Sequence, residues 1–117
     1  MGSQPALKLK AQLLVGQAIA IGPGKADLLD AIAETGSISA AGRAMGISYR
    51  RAWLMVDMMN RLFAEPLVHT TRGGPGGARL TDAGQAALAA YRGLQAAMAE
   101  GTAEPAARLL AMLRACG

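Results

Sequence analysis

The stretch from Gly36 to Phe63, GSISAAGRAMGISYRRAWLMVDMMNRLF, constrains this chain more than any other. Gly36 ends a preceding helix. Ser37 is placed to cap a new one, its hydroxyl accepting an orphan N–H of the first turn. Ile38 to Met45 then predicts two helical turns. Gly46 suits the left-handed residue that closes a helix without a Cβ clash. Ile47 is an apolar plug, and Ser48 caps a longer helix that reaches about Phe63. Gly42, four residues before Gly46, gives a crossing helix room to approach closely. A short helix, a glycine turn and a capped second helix make the helix-turn-helix pattern. The start of the second helix carries Ser48, Tyr49, Arg50 and Arg51, the display expected of a helix that enters a DNA major groove.

Charge placement points the same way. The 117 residues carry a net +4, and all of it lies between Ser37 and Thr81, where six arginines (43, 50, 51, 61, 72 and 79) face only Asp57 and Glu65. A basic segment inside an otherwise neutral chain favours a polyanionic partner over a generally adhesive surface. The length fits one domain over 1–117 with a modest core. Aromatic residues are 3% of the chain, so that core has to be Leu, Ile, Met and Ala on closely packed helices, with Trp53 as its anchor.

The same composition excludes other functions. One cysteine (Cys116) and one histidine (His69) cannot form an intramolecular disulfide or a multi-ligand Cys/His metal site. Neither a cofactor nor a metal is expected. No carboxylate pair stands outside helix faces, so no nucleophile–base constellation supports an enzyme. The longest charge-free run, Ala11 to Gly24, is too short for a bilayer and holds three glycines and a proline. With no secretory signal in view, no membrane partner and a cytoplasmic location are expected.

Taken in order, residues 1–24 predict strands. Leu7, Leu9, Ala11 and Leu13 alternate with polar residues, the period of a half-buried strand. Gly16-Gln17 interrupts them, and Ala18 to Ile21 resumes, so a hairpin is expected. Gly22-Pro23-Gly24 reads as a turn. A phosphate loop ending at Gly24-Lys25 would need glycine at 19 and Ser or Thr at 26, where the chain has Ile19 and Ala26. Residues 25–81 hold a helix (Lys25–Thr35), the helix-turn-helix and a hairpin. On the first helix Leu28, Leu29 and Ile32 point inward, while Asp27, Asp30 and Glu34 form a solvated face. In the second helix of the motif Ala52, Val56, Met59 and Phe63 make an apolar stripe with Trp53 and Leu62 beside it. Met45, Met55, Met58 and Met59 are expected to fill the core rather than bind a soft metal.

After Pro66, Leu67 to Thr71 and Ala78 to Leu80 read as strands around Arg72-Gly73-Gly74-Pro75-Gly76-Gly77. A hairpin directly after a reading helix is a wing. Arg72 and Arg79 at its base, with Gly74 and Gly77 leaving its tip bare, suit phosphates or a minor groove; His69 is an ordinary strand residue. Residues 82–117 predict dimerisation helices. Thr81-Asp82 caps a helix to about Glu100, in which Ala87, Tyr91, Leu94 and Met98 recur in steps of four and three, a coiled-coil-like seam. Gly101-Thr102 breaks it. Pro105 starts a last helix to about Cys116 bearing Leu109 and Leu113. A seam that one winged helix cannot cover implies a partner subunit.

Together GSIS at 36–39, GISY at 46–49, AW at 52–53, MN at 59–60, GGPGG at 73–77 and LTDAGQ at 80–85 resemble the N-terminal DNA-binding domain of the ModE family of molybdate-responsive regulators, itself similar to the LysR-type domain. The resemblance covers about residues 7 to 100. It implies a mainly α fold with a little β structure: a winged helix-turn-helix, an N-terminal β-hairpin and C-terminal dimerisation helices. It also implies an operator with two-fold character. ModE proteins carry molybdate-binding domains after this module, and no residue here maps onto them. A stand-alone member is therefore expected, its effector absent or held by a separate partner protein.

The expected function is a homodimeric regulator of molybdenum genes that binds double-stranded DNA. Ser48, Tyr49, Arg50 and Arg51 would lie in the major groove, and Ser37, Ser39, Arg43, Arg72 and Arg79 on phosphates. Two alternatives stay open: a winged-helix module that docks another protein, and an architectural binder with little sequence preference.

Overall fold

The computed structural model describes residues 4–71 and 77–114. Its elements run β1 (Leu13–Val15), β2 (Ala18–Ile21), α1 (Pro23–Thr35), α2 (Ile38–Met45), α3 (Tyr49–Leu62), β3 (Val68–Thr70), β4 (Ala78–Leu80), α4 (Asp82–Gly101) and α5 (Ala103–Ala111). Helices dominate, with two antiparallel hairpins, β1–β2 and β3–β4.

Helix α1 is the hub. Ala26, Leu28, Leu29, Ala31 and Ile32 are buried along it, and α2, α3, β4 and α4 pack around them. Ile38 and Ala41 of α2, Ala52, Val56 and Met59 of α3, and Leu67, Val68, Ala78 and Leu80 of the second hairpin complete one core. The helix starts two residues before its expected first residue. Pro23 stands in its first turn, where a fixed φ and a missing N–H cost nothing, so Gly22-Pro23-Gly24 is a helix start and not a turn.

Three further readings are corrected. Residues 4–12 form no strand, and Leu7 and Leu9 are exposed. The partner strand β2 has only four residues before α1 begins, so the pairing is limited to Leu13–Val15, with a bulge between Leu13 and Leu14. The segment before it lies along α4 instead, where the Tyr91 hydroxyl donates to the Ala11 carbonyl at 2.8 Å. Burial raises the Tyr91 pKa above its ordinary value. The acidic face of α1 is not simply solvated: Arg92 of α4 donates to Asp27 at 2.9 Å and to Asp30. Those hydrogen bonds raise the Arg92 pKa. Finally, α5 starts at Ala103 because its first turn tolerates Pro105, and it ends at Ala111; Cys116 lies outside the described residues.

Helix α4, about 30 Å long at 1.5 Å per residue, extends beyond the body and carries α5. The radius of gyration is 17.4 Å, against about 13 Å for a compact chain of this length. Near its start, a Cβ at Gly84 would lie 2.0 Å from the Leu67 carbonyl oxygen, whereas one at Gly93 would meet nothing within 4 Å. Gly84→Ala should therefore lower stability by about 1–3 kcal/mol through overpacking against rigid backbone. Gly93→Ala on the same helix should raise it by up to about 1 kcal/mol through helix propensity. Urea denaturation of both variants checks the pair.

Candidate nucleic-acid interface

The two helices of the motif are set by their caps. The Ser37 hydroxyl accepts from the Ala40 N–H at 2.9 Å, and the Ser48 hydroxyl accepts from the Arg51 N–H at 3.1 Å. Gly46 closes α2 with φ +73° and donates back to the Arg43 and Gly42 carbonyls. A Cβ at Gly42 would meet the Ile47 carbonyl oxygen at 3.2 Å and the Ala52 Cβ at 3.5 Å. A methyl group at 42 would therefore press on the turn backbone between α2 and α3.

These constraints fix where the candidate residues lie. Arg43 stands in the last turn of α2, where a cation is favoured, and donates to the Ser39 hydroxyl at 2.9 Å. Arg50 and Arg51 stand in the first turn of α3. All three arginines are exposed, and among the described residues none pairs with a carboxylate. The first turn of α3 carries no acidic residue. Ser39, Ser48 and Tyr49 are exposed beside them, and Ser37 is half-buried. The turn between α2 and α3 thus gathers an uncompensated cationic surface.

The wing base is stitched to the opposite end of α2. The Gly77 carbonyl accepts from the Thr71 N–H at 2.9 Å, and the Ala78 N–H donates to the Gly36 carbonyl at 2.8 Å. Arg79 is exposed on β4 opposite His69. It lines a groove with Asp30, Gly36, Gln85 and Arg92, separate from the cleft along α3. Arg72 and Gly74 lie outside the described residues.

Trp53 is not the core anchor. It is 44% exposed, and Tyr49 is 58% exposed; with Arg50 and Leu54 they line an open cleft on the outward face of α3. The buried stripe runs through Ala52, Val56 and Met59. Trp53 is one residue, about 100°, off that stripe. Met58 is exposed for the same reason, while Met59 is fully buried and Met45 and Met55 are half-buried. The i, i+4 relation of Trp53 to Tyr49 was the available signal.

Asn60 has a role that its place in a motif does not reveal. Its side-chain carbonyl accepts from the Leu67 N–H at 2.8 Å and the Val68 N–H at 3.1 Å, and its amide donates to the Val68 carbonyl at 3.1 Å. One side chain ties the wing strand to the end of α3. On the seam, Tyr91 is buried within its own chain, Ala87 packs against the core and Met98 is half-buried. Leu94 of α4 and Leu109 and Leu113 at the chain's far end are exposed. Among the described residues no group of three or more His, Cys, Asp or Glu could hold a metal ion, and no helix is long and apolar enough to cross a membrane.

Comparison with known proteins places this geometry. Residues 25–85 match the family described as bacterial regulatory helix-turn-helix protein, lysR family. The molybdenum-pterin-binding protein MopB of Rhodobacter capsulatus is 48% identical over 82 residues, 68% of this chain and 30% of that protein. The DNA-binding transcriptional dual regulator ModE of Escherichia coli is 42% identical over 71 residues, 59% of this chain and 27% of that protein. The chain thus spans about 30% of the length of the curated relatives it matches. Among solved structures, the CbnR DNA-binding domain in complex with DNA superposes with a TM-score of 0.57 at 26% identity, over 73% of this chain and 95% of that one.

Replacing Asn60 with alanine should cost about 1–3 kcal/mol, because it strips partners from half-buried backbone groups. Hydrogen exchange should speed up at the Leu67 and Val68 amides, while the α1 amides keep their relative protection.

Proposed function

The chain belongs to the lysR family of bacterial regulatory helix-turn-helix proteins, and from that premise we propose that it binds a two-fold DNA operator as a homodimer and controls molybdenum uptake or metabolism genes. It is a DNA-binding regulatory domain of LysR and ModE type. The observation that carries the reading is the exposed, carboxylate-free group of Arg43, Arg50 and Arg51 around the α2–α3 turn. The link to molybdenum rests on the names of MopB and ModE.

Residue roles follow from chemistry. Arg50 or Arg51 makes the bidentate guanine contact, worth about 1–3 kcal/mol of discrimination, with Ser48 and Tyr49 beside it in the major groove. Ser37, Ser39 and Arg43 set register on phosphates. Arg79, with Arg72 and the bare glycines Gly74 and Gly77, brings the wing to the backbone. Ser37 and Ser48 already accept helix-cap bonds, so each offers DNA its hydroxyl proton. The exposed apolar residues Leu94 of α4, Leu109 of α5 and Leu113 just beyond it, with Ala87 and Met98 at their edge, form the dimer contact; Tyr91 supports it from inside. An effector-binding partner protein is compatible with the same surface.

In a mobility-shift titration Arg51→Ala should lose its preference for selected over random duplex. Arg79→Ala should weaken both alike and reduce the salt slope by about 1. No loss in either variant overturns these roles. Light scattering should find the wild type dimeric and Leu94→Arg monomeric, with the variant also binding its duplex more weakly; a monomeric wild type rules the homodimer out.

A further inference from the structure

The outward face of α3 pairs cationic with apolar character. Its cleft, about 470 Å³, is lined by Tyr49, Arg50, Trp53 and Leu54. The two aromatic residues are four apart and share one helix face. At 1.5 Å per residue they stand about 6 Å apart along the axis, about two base-pair steps of the duplex. The flanking first turn is free of carboxylates, and the next acidic residue, Asp57, is held by Arg61 at 3.1 Å. That cationic setting suits the polyanionic duplex of the DNA-binding reading.

An indole or phenol face cannot read the donor and acceptor code of the groove. What the major groove offers an apolar side chain is the 5-methyl group of thymine. Resting on the DNA-binding reading above, we propose that Tyr49 and Trp53 are specificity-determining residues that read thymine methyl groups about two base steps apart. Arg50 or Arg51 then reads the guanine that flanks them. The operator accordingly combines thymines at a fixed two-step spacing with an adjacent guanine.

The test uses a duplex selected from a random library by the wild-type protein. Each thymine is replaced singly by deoxyuridine, which removes only the methyl group. Two positions per half-site should lose about fourfold in affinity, the equivalent of exposing one buried methyl. Trp53→Gln should abolish the loss at one of them and Tyr49→Ser at the other, while Trp53→Phe retains it. Penalties that persist in Trp53→Gln and Tyr49→Ser overturn the proposal. So does a selected duplex that shows no penalty anywhere. Trp53 is the only tryptophan of the chain, so its emission gives a second readout that needs no variant. It should change on saturation with the selected duplex, and change less with the deoxyuridine duplex; unchanged emission rejects the contact. If the wild type selects no duplex, the DNA-binding reading falls as well, whereas selection without a methyl effect removes this inference alone.

Discussion

The peptide backbone at Leu67 is the joint on which the geometry of the domain depends. Its N–H is accepted by Asn60 from the end of α3, and its carbonyl accepts the Thr81 N–H at 3.0 Å and abuts Gly84 of α4. The Thr81 hydroxyl donates to the neighbouring Pro66 carbonyl at 2.6 Å while accepting the Gly84 N–H at 3.0 Å. Helix α3, the wing strand and α4 therefore meet within three residues, and the Leu67 side chain is buried beneath them. These bonds are short-range and satisfied on both sides, so the junction resists bending more than a purely apolar contact would. Whatever α4 packs against, α3 is held at a set angle to it.

That rigidity explains which features were legible in the sequence. The limits of α2 and α3 are written in residues whose effect is local: Ser37 and Ser48 as caps, Gly46 as the left-handed closure, Gly42 as the space for Ala52. The hairpins were legible for the same reason, since Gly16 at φ +61° supplies the turn that joins β1 to β2. What could not be read depends on partners distant in the chain. Arg92 lies more than 60 residues from the carboxylates it bridges. Alternation at Leu7, Leu9 and Ala11 looked like a strand because periodicity does not say whether a neighbour strand is long enough to pair. Asn60 and Gly84 were visible only as letters within motifs, because their function is to satisfy or avoid a carbonyl in another element.

Trp53 is a different case, because its misplacement came from a general preference and not from a missing partner. Aromatic residues contribute most to cores, and this chain has few of them. Yet the face of a helix is decided by its phase, and the phase of α3 turns the buried Ala52 towards Gly42, where an added Cβ would come to 3.5 Å from the Ala52 Cβ. With Ala52 turned to that crossing, the tryptophan next in sequence has to point elsewhere. The close approach of two helices thereby exposes an indole beside Arg50. Folding and surface chemistry come from one packing constraint.

Among the described residues, the exposed large apolar side chains fall into two groups. One is on α3; the other lies wholly outside residues 25–85, on the N-terminal hairpin, on its approach, and between Leu94 and Leu113. Scattered apolar exposure is ordinary, but this distribution is not scattered. The segment shared with the family keeps its apolar surface covered except on the helix that carries the arginines. The flanking segments leave theirs open, although β2 itself reaches the core through Ile21. In a dimeric helix-turn-helix protein the two reading helices have to stand at a defined distance, because half-sites repeat with the pitch of the double helix. In the proposed homodimer, an elongated α4 anchored to α3 through Leu67 and exposing Leu94 would convert a subunit contact into that distance.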